Sequence, residues 1–157
     1  MISIRPLLRA DVRPLEGILV RTGVFTEEEI QTALELMDIY LDEPNQRDYE
    51  LSSALDGETV VGYVCFGPTP LTEGTFDLYW IAVDPARYHQ KIGRQLMTFA
   101  EDVIRSRRGR LIVLETSSQP RYDNTRKFYL GLKYTELARI RGYYRNDDDL
   151  VIYGKYL

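Results

Sequence analysis

The segment from Leu78 to Met97, reading LYWIAVDPARYHQKIGRQLM, constrains the fold of this chain more than any other stretch. Leu78 to Val83 is an apolar strand that breaks at the Asp84-Pro85 turn. After a short basic, polar loop, an amphipathic helix starts near Ile92-Gly93. A strand feeding a helix start in this way leaves the first backbone N–H groups of the helix unpaired and aimed at one spot. Those donors and the positive end of the helix dipole both favour an anion there. The segment therefore predicts a phosphate-bearing ligand.

The rest of the chain sets that segment in a single α/β domain. With 157 residues, 44% hydrophobic and 28% charged, the chain is long enough for one substantial core. A net charge of −4 and a pI near 5.1 argue against nucleic acid as a partner, because no dominant basic field exists to neutralise phosphates. One cysteine, Cys65, cannot close an intramolecular disulfide and fits a reducing compartment. No apolar run approaches the roughly 20 residues that span a bilayer, and MISIRPLLRAD lacks the apolar region of a signal peptide. A cytoplasmic enzyme or binding domain, with no membrane or nucleic-acid partner, is the expectation.

Ile2 and Ile4 alternate with polar residues as a short first strand. Asp11 is placed to cap a helix running to about Arg21, and Gly23 ends it. Thr26 and Glu29 form a capping box for a second helix carrying Ile30, Ala33, Leu34, Met37 and Leu41 on one face. Strands at Tyr49–Leu55 and Thr59–Phe66 flank the hairpin signal Asp56-Gly57, and Thr75–Val83 is a third long strand. The helix from Ile92 is followed by Leu111–Thr116, whose apolar run predicts a strand buried on both faces. A short helix at about Asn124–Leu130 precedes two last strands near Tyr134–Tyr143 and Leu150–Tyr156, with a solvated turn at Arg145–Asp149 between them. The order is β-α-α-β-β-β-α-β-α-β-β, an α/β arrangement.

That order resembles the GNAT superfamily of acetyl-CoA-dependent N-acetyltransferases over nearly the whole chain. The family motif Arg/Gln-x-x-Gly-x-Gly/Ala matches Tyr88-His89-Gln90-Lys91-Ile92-Gly93, entered from Trp80-Ile81-Ala82-Val83-Asp84-Pro85 and followed by Leu96-Met97. Tyr88 stands for the usual Arg or Gln, and Lys91 for the first glycine. A second family signature, a helix ending in Tyr with Gly-Phe shortly after, matches Phe128 to Tyr134 with a looser ending. The Asn that often lies seven residues before that Tyr is Tyr122 here. The resemblance implies a mixed, mostly antiparallel seven-stranded sheet flanked by about four helices, splayed between its fourth and fifth strands.

The resemblance also implies roles. The pantetheine arm of acetyl-CoA would pair with Ile81, Ala82 and Val83 as an added strand, and the pyrophosphate would rest on the amides of His89, Gln90, Lys91, Ile92, Gly93 and Arg94. Tyr129 matches the family's acid, which protonates the leaving thiolate. Glu115, at the end of the splayed strand, matches a base position in some members, and its apolar strand predicts a desolvated carboxylate. The acceptor is a primary amine, and Gly142-Tyr143-Tyr144 resembles members that acetylate protein N-termini, while small-molecule acetylators share much of the same pattern. Tyr79, Tyr122, Tyr143 and Tyr144 are candidates to line the acceptor end. Pairing through sheet edges in relatives makes a homodimer an expectation by analogy.

Plainer readings stand beside these. A Tyr on a short amphipathic helix is ordinarily core, Glu115 can serve a neighbouring loop, and Glu27 to Glu29 are the usual acidic residues of a helix start. His89 sits in the phosphate loop and Cys65 on a strand, neither in catalytic company. No His, Cys or acidic group has metal-ligand spacing, and the glycines of a dinucleotide fold are missing. A non-catalytic module that binds acyl-CoA is the alternative to an enzyme.

Overall fold

The computed structural model describes all 157 residues. The strands are β1 (Ile2–Pro6), β2 (Glu50–Asp56), β3 (Thr59–Pro68), β4 (Thr75–Val83), β5 (Leu111–Ser117), β6 (Thr135–Arg145) and β7 (Asp148–Tyr156). The helices are α1 (Val12–Thr22), α2 (Glu27–Asp42), α3 (Ile92–Ser106) and α4 (Asp123–Gly131), with short 3₁₀ turns before α1, α3 and α4. All seven strands form one sheet in the order β1-β2-β3-β4-β5-β7-β6. Every neighbouring pair is antiparallel except β4 and β5.

Two apolar layers sandwich that sheet. On one face Ile92, Leu96, Met97, Ala100 and Ile104 of α3 pack with Tyr129 of α4 onto Phe76, Leu78, Ile112 and Leu114. The stripe at helical spacing in α3 gives that face its seam. On the other face Leu15, Ile18 and Leu19 of α1 and Ala33 and Met37 of α2 cover Leu51, Tyr63, Cys65 and Ala82. Thr26 and Glu29 do form the reciprocal capping box, at 3.1 Å each way.

Asp11 behaves differently from the cap expected of it. Its carboxylate makes no bond to α1 and instead accepts from the Arg5 guanidinium at 2.6 and 2.9 Å, the Leu8 amide at 2.9 Å and the Ser53 hydroxyl at 2.8 Å. A buried charge needs several donors, and here they tie β1, α1 and β2 together. The last turn also departs from expectation. Only Asp147 of the acidic triplet is exposed; Asp148 is buried, accepting from the Ser117 hydroxyl at 2.5 Å and the Ser118 amide at 3.2 Å.

Candidate active site between the fourth and fifth strands

The parallel ladder between β4 and β5 runs only through Thr75–Leu111, Phe76–Ile112 and Asp77–Val113. Beyond Asp77, β4 keeps its β3 partners, with Ile81 opposite Val64 and Val83 opposite Gly62, but has none on the β5 side. The two strands therefore splay into a V whose β4 edge, Leu78 to Val83, is open to an extended ligand. Tyr79 is an extra residue in β4, since Cys65 pairs with Trp80 and Phe66 with Leu78. This bulge lies on the open stretch, bends the strand and reorients its amides next to the V.

At the top of β4 the chain turns through a 3₁₀ segment, Pro85–Gln90, capped by Asp84, whose carboxylate accepts from the Ala86 amide at 3.1 Å. Lys91 then takes a left-handed conformation, φ 59° and ψ 25°, and α3 begins. The first-turn amides of Ile92, Gly93 and Arg94 precede the first intrahelical bond, Gln95 N–H to the Lys91 carbonyl at 3.1 Å. His89, Gln90, Lys91 and Arg94 are exposed around this helix start, while Ile92 is buried in the core. The Arg87 guanidinium donates to Asp56 at 2.5 Å, which leaves Lys91 and Arg94 as the unpaired cations of the stretch. Arg21 of α1 holds Asp84 at 3.1 Å from below. The result is a pinned loop, following directly on the open edge of β4, with bare amides and two exposed cations.

Gly93 has a packing role as well. A β-carbon there would lie 3.0 Å from Phe128 Cε1 and 3.1 Å from its Cζ, so the missing side chain lets α4 close onto the start of α3. Phe128 in turn meets the Tyr129 ring edge to face at 5.3 Å. Tyr129 is buried at 5% exposure, and burial alone pushes its phenol well above the ordinary tyrosine value. No protein group hydrogen-bonds its hydroxyl, leaving that O–H free to donate to a ligand.

Glu115 sits on the other face of β5, because Leu114 and Thr116 are the buried residues flanking it. The desolvation expected for it is absent. The residues that α1 and α2 bury lie on β2, β3 and β4, so on this face of β5 Glu115 is exposed, Leu111 and Val113 are half-buried and only Ser117 is buried. Tyr144, from the irregular stretch of β6 after Ile140, stands close to Glu115. Partial burial, then the charge of Glu115, Tyr143 and Asp148, push the Tyr144 phenol up to about 12. Tyr122 reaches across to α2, its hydroxyl 3.4 Å from Glu29 Oε2, and burial and that carboxylate raise its phenol too. At the foot of the V, Thr69 donates to Asp77 at 2.7 Å, and the Tyr79 hydroxyl lies 3.4 Å from the same oxygen. This face is thus rimmed by carboxylates and phenols, with the Tyr143 and Tyr144 rings packed edge to face at 5.0 Å.

The structure brings Ile81, Ala82, Val83 and the His89 to Arg94 stretch together along one edge, with Tyr129 in the layer behind and Glu115 in front. Sequence reading missed the Tyr79 bulge, the role of Asp148 and the Glu29–Tyr122 bridge. A break in alternation between Leu78 and Ile81 was the available signal for the first; the others rest on contacts between residues far apart in the chain.

The description "Acetyltransferase (GNAT) family" belongs to the family model that matches residues 18–132. A crystal structure of a GNAT-family protein from Desulfovibrio desulfuricans is 38% identical, with a TM-score of 0.93 and 99% of each chain covered. The ribosomal-protein-S18-alanine N-acetyltransferase of Escherichia coli has a TM-score of 0.78 at 19% identity, covering 99% of this chain and 94% of that one. The PaiA N-acetyltransferase of Thermoplasma acidophilum, solved in complex with coenzyme A, has a TM-score of 0.75 at 20% identity, covering 100% of this chain and 99% of that one. No curated protein matches the chain.

Proposed function

Because this chain belongs to the GNAT acetyltransferase family, we propose that residues 1–157 are a single domain that transfers an acetyl group from acetyl-CoA to a primary amine. The acceptor is a small molecule or a peptide N-terminus, and transfer is direct, with both substrates bound together. One observation carries the reading: the β4–β5 ladder stops at Asp77–Val113 beside the bare N-terminus of α3. An open strand edge suits a pantetheine arm, and unpaired helix amides with Lys91 and Arg94 suit a pyrophosphate.

The thioester supplies an activated acyl carbon and a thiolate leaving group. Around it the protein's residues have distinct tasks. Backbone N–H groups along Ile81 to Val83 orient the thioester carbonyl and stabilise charge that develops on its oxygen. Glu115, reached by solvent, accepts a proton from the incoming ammonium directly or through water, since only the neutral amine attacks. As the new C–N bond forms and the C–S bond breaks, the nitrogen sheds its second proton to water, and the Tyr129 hydroxyl donates its proton to sulfur and regains one from solvent on product release. The carboxylates of Glu29, Asp77, Glu115 and Asp148 give the acceptor face a negative potential, which favours a cationic amine. No helix of the protein is long and apolar enough to cross a membrane, in keeping with a cytoplasmic enzyme.

The test is turnover of acetyl-CoA with a panel of peptides bearing free N-termini and of small primary amines, with products identified by mass spectrometry. N-acetylated amine and free coenzyme A in equal amounts are expected. Coenzyme A binding by calorimetry with no product from any amine would replace this reading with a non-catalytic acyl-CoA-binding module.

A further inference from the structure

The buried polar group that the chemistry above does not use lies behind Tyr129. Glu101, in the middle of α3, is 6% exposed. Its carboxylate accepts from the Tyr134 hydroxyl at 3.0 Å and from Lys155 Nζ at 3.1 Å to each oxygen. Lys155 also stands 5.5 Å over the Tyr134 ring. Tyr134 is 1% exposed, so its ring has one place to sit, and the hydroxyl bond fixes how far it reaches.

Tyr134 is joined to Tyr129 twice. The rings pack at 5.8 Å, and the Tyr134 N–H donates to the Tyr129 carbonyl at 3.1 Å. That second bond closes the end of α4, with Lys133 between them in a left-handed turn, φ 73°. The α4 end is thus held against α3 at two levels: Phe128 over Gly93 in the first turn, and Tyr134 on Glu101 two turns later. The Tyr129 ring is caught between those anchors, and its hydroxyl has no hydrogen bond of its own to set its position.

Resting on the acetyltransferase reading, we infer that Glu101 and Lys155 are positioning residues that act through Tyr134 to hold the Tyr129 hydroxyl at the thioester sulfur. A displacement on the order of 1 Å at a reacting group can cost up to about a hundredfold in rate, so a ring held on one side only is expected to tell in kcat.

The experiment uses Tyr134→Phe, which keeps the ring and removes the hydroxyl, and Glu101→Gln, which keeps the shape and removes the charge. Each is expected to lower kcat about tenfold while KM for acetyl-CoA stays within about twofold. In a Tyr129→Phe background, Tyr134→Phe is expected to cause no further loss, because the two residues act as one unit. An equal loss in both backgrounds, which general loosening of the fold would give, overturns the inference. A second readout needs no turnover: in ¹³C-tyrosine spectra the Tyr129 ring signal shifts or broadens in both variants while exposed Tyr156 is unchanged. An unmoved Tyr129 signal also overturns it. If wild type acetylates no amine, the acetyltransferase reading fails, and the Tyr129 spectrum still decides the positioning claim.

Discussion

Lys91 occupies a backbone conformation that a side chain disfavours, and it supplies charge at the proposed phosphate site, so one substitution separates the two effects. At φ 59° and ψ 25° its β-carbon crowds the backbone, at a cost of roughly 1–2 kcal/mol relative to glycine. Lys91→Gly relieves that strain but adds about 0.4–1 kcal/mol of conformational freedom to the unfolded chain. The net expectation is a gain of about 0.5–1 kcal/mol, read as a rise of about 1–4 °C in Tm for a chain of this size. Lys91→Ala keeps the β-carbon and so should give no gain. Both variants lose an unpaired, exposed ammonium, which is worth up to about 1 kcal/mol toward a phosphate at low salt, or about fivefold in Kd. Calorimetric titration with coenzyme A and thermal melts of the three proteins complete the comparison. Stability should rise only in the glycine variant, and affinity should fall equally in both, with the difference shrinking as salt is added. If glycine and alanine melt together, Lys91 stores no strain. If affinity is the same in all three, Lys91 does not face the phosphates.

Gly93→Ala places a methyl 3.0 Å from Phe128 and is expected to destabilise by about 1–3 kcal/mol in urea unfolding, with Phe128→Leu in the same chain restoring most of it. Asp11→Asn removes the buried carboxylate that Arg5, partly exposed itself, and the Leu8 amide and Ser53 hydroxyl all donate to, and should cost about 1–3 kcal/mol by the same measurement. Burial would raise the Asp11 carboxyl, but the bonds from Arg5, Leu8 and Ser53 outweigh it and hold it below the ordinary value. Its stabilisation is therefore full above about pH 4, the unfolded value, and is lost as pH falls through the lower folded one, so acid unfolding of wild type should be steeper than that of Asp11→Asn. Because burial holds the Tyr129 phenol above its ordinary value, kcat/KM should rise with pH as the amine loses its proton and show no falling limb below about pH 10. A falling limb between neutrality and pH 9 in the pH–rate profile would remove Tyr129 as the acid.

Much of the fold was legible because the signals were local. The capping box at Thr26 and Glu29, the hairpin turn at Asp56-Gly57 and the bounds of β4 emerge as expected, each set by residues within a few positions of one another. Asp11 shows where local reading stops. Its position before α1 suggested a cap, but Arg5 and Ser53, brought in by β1 and β2, compete for the carboxylate and win because it is buried. The burial expected of Glu115 is absent for a related reason: an apolar run predicts burial only if something covers both faces, and no β5 residue lies in the layer under α1 and α2. At the site, the motif residues coincide with the open edge of β4 and the start of α3, whereas the Glu101–Tyr134–Lys155 contacts join residues 33 and 54 positions apart and left no mark in the spacing.

The proposed chemistry turns on Tyr129 acting at the sulfur of a thioester bound in the V. Its most direct test is the rate of coenzyme A release from acetyl-CoA, with an amine acceptor found by the panel, in wild type and Tyr129→Phe, both held at saturation verified by calorimetry. If Tyr129 is the acid, Kd for acetyl-CoA is unchanged within about twofold and kcat is lower by about a hundredfold in the variant. Equal kcat in the two proteins, or a loss of rate matched by a loss of acetyl-CoA binding, would contradict it.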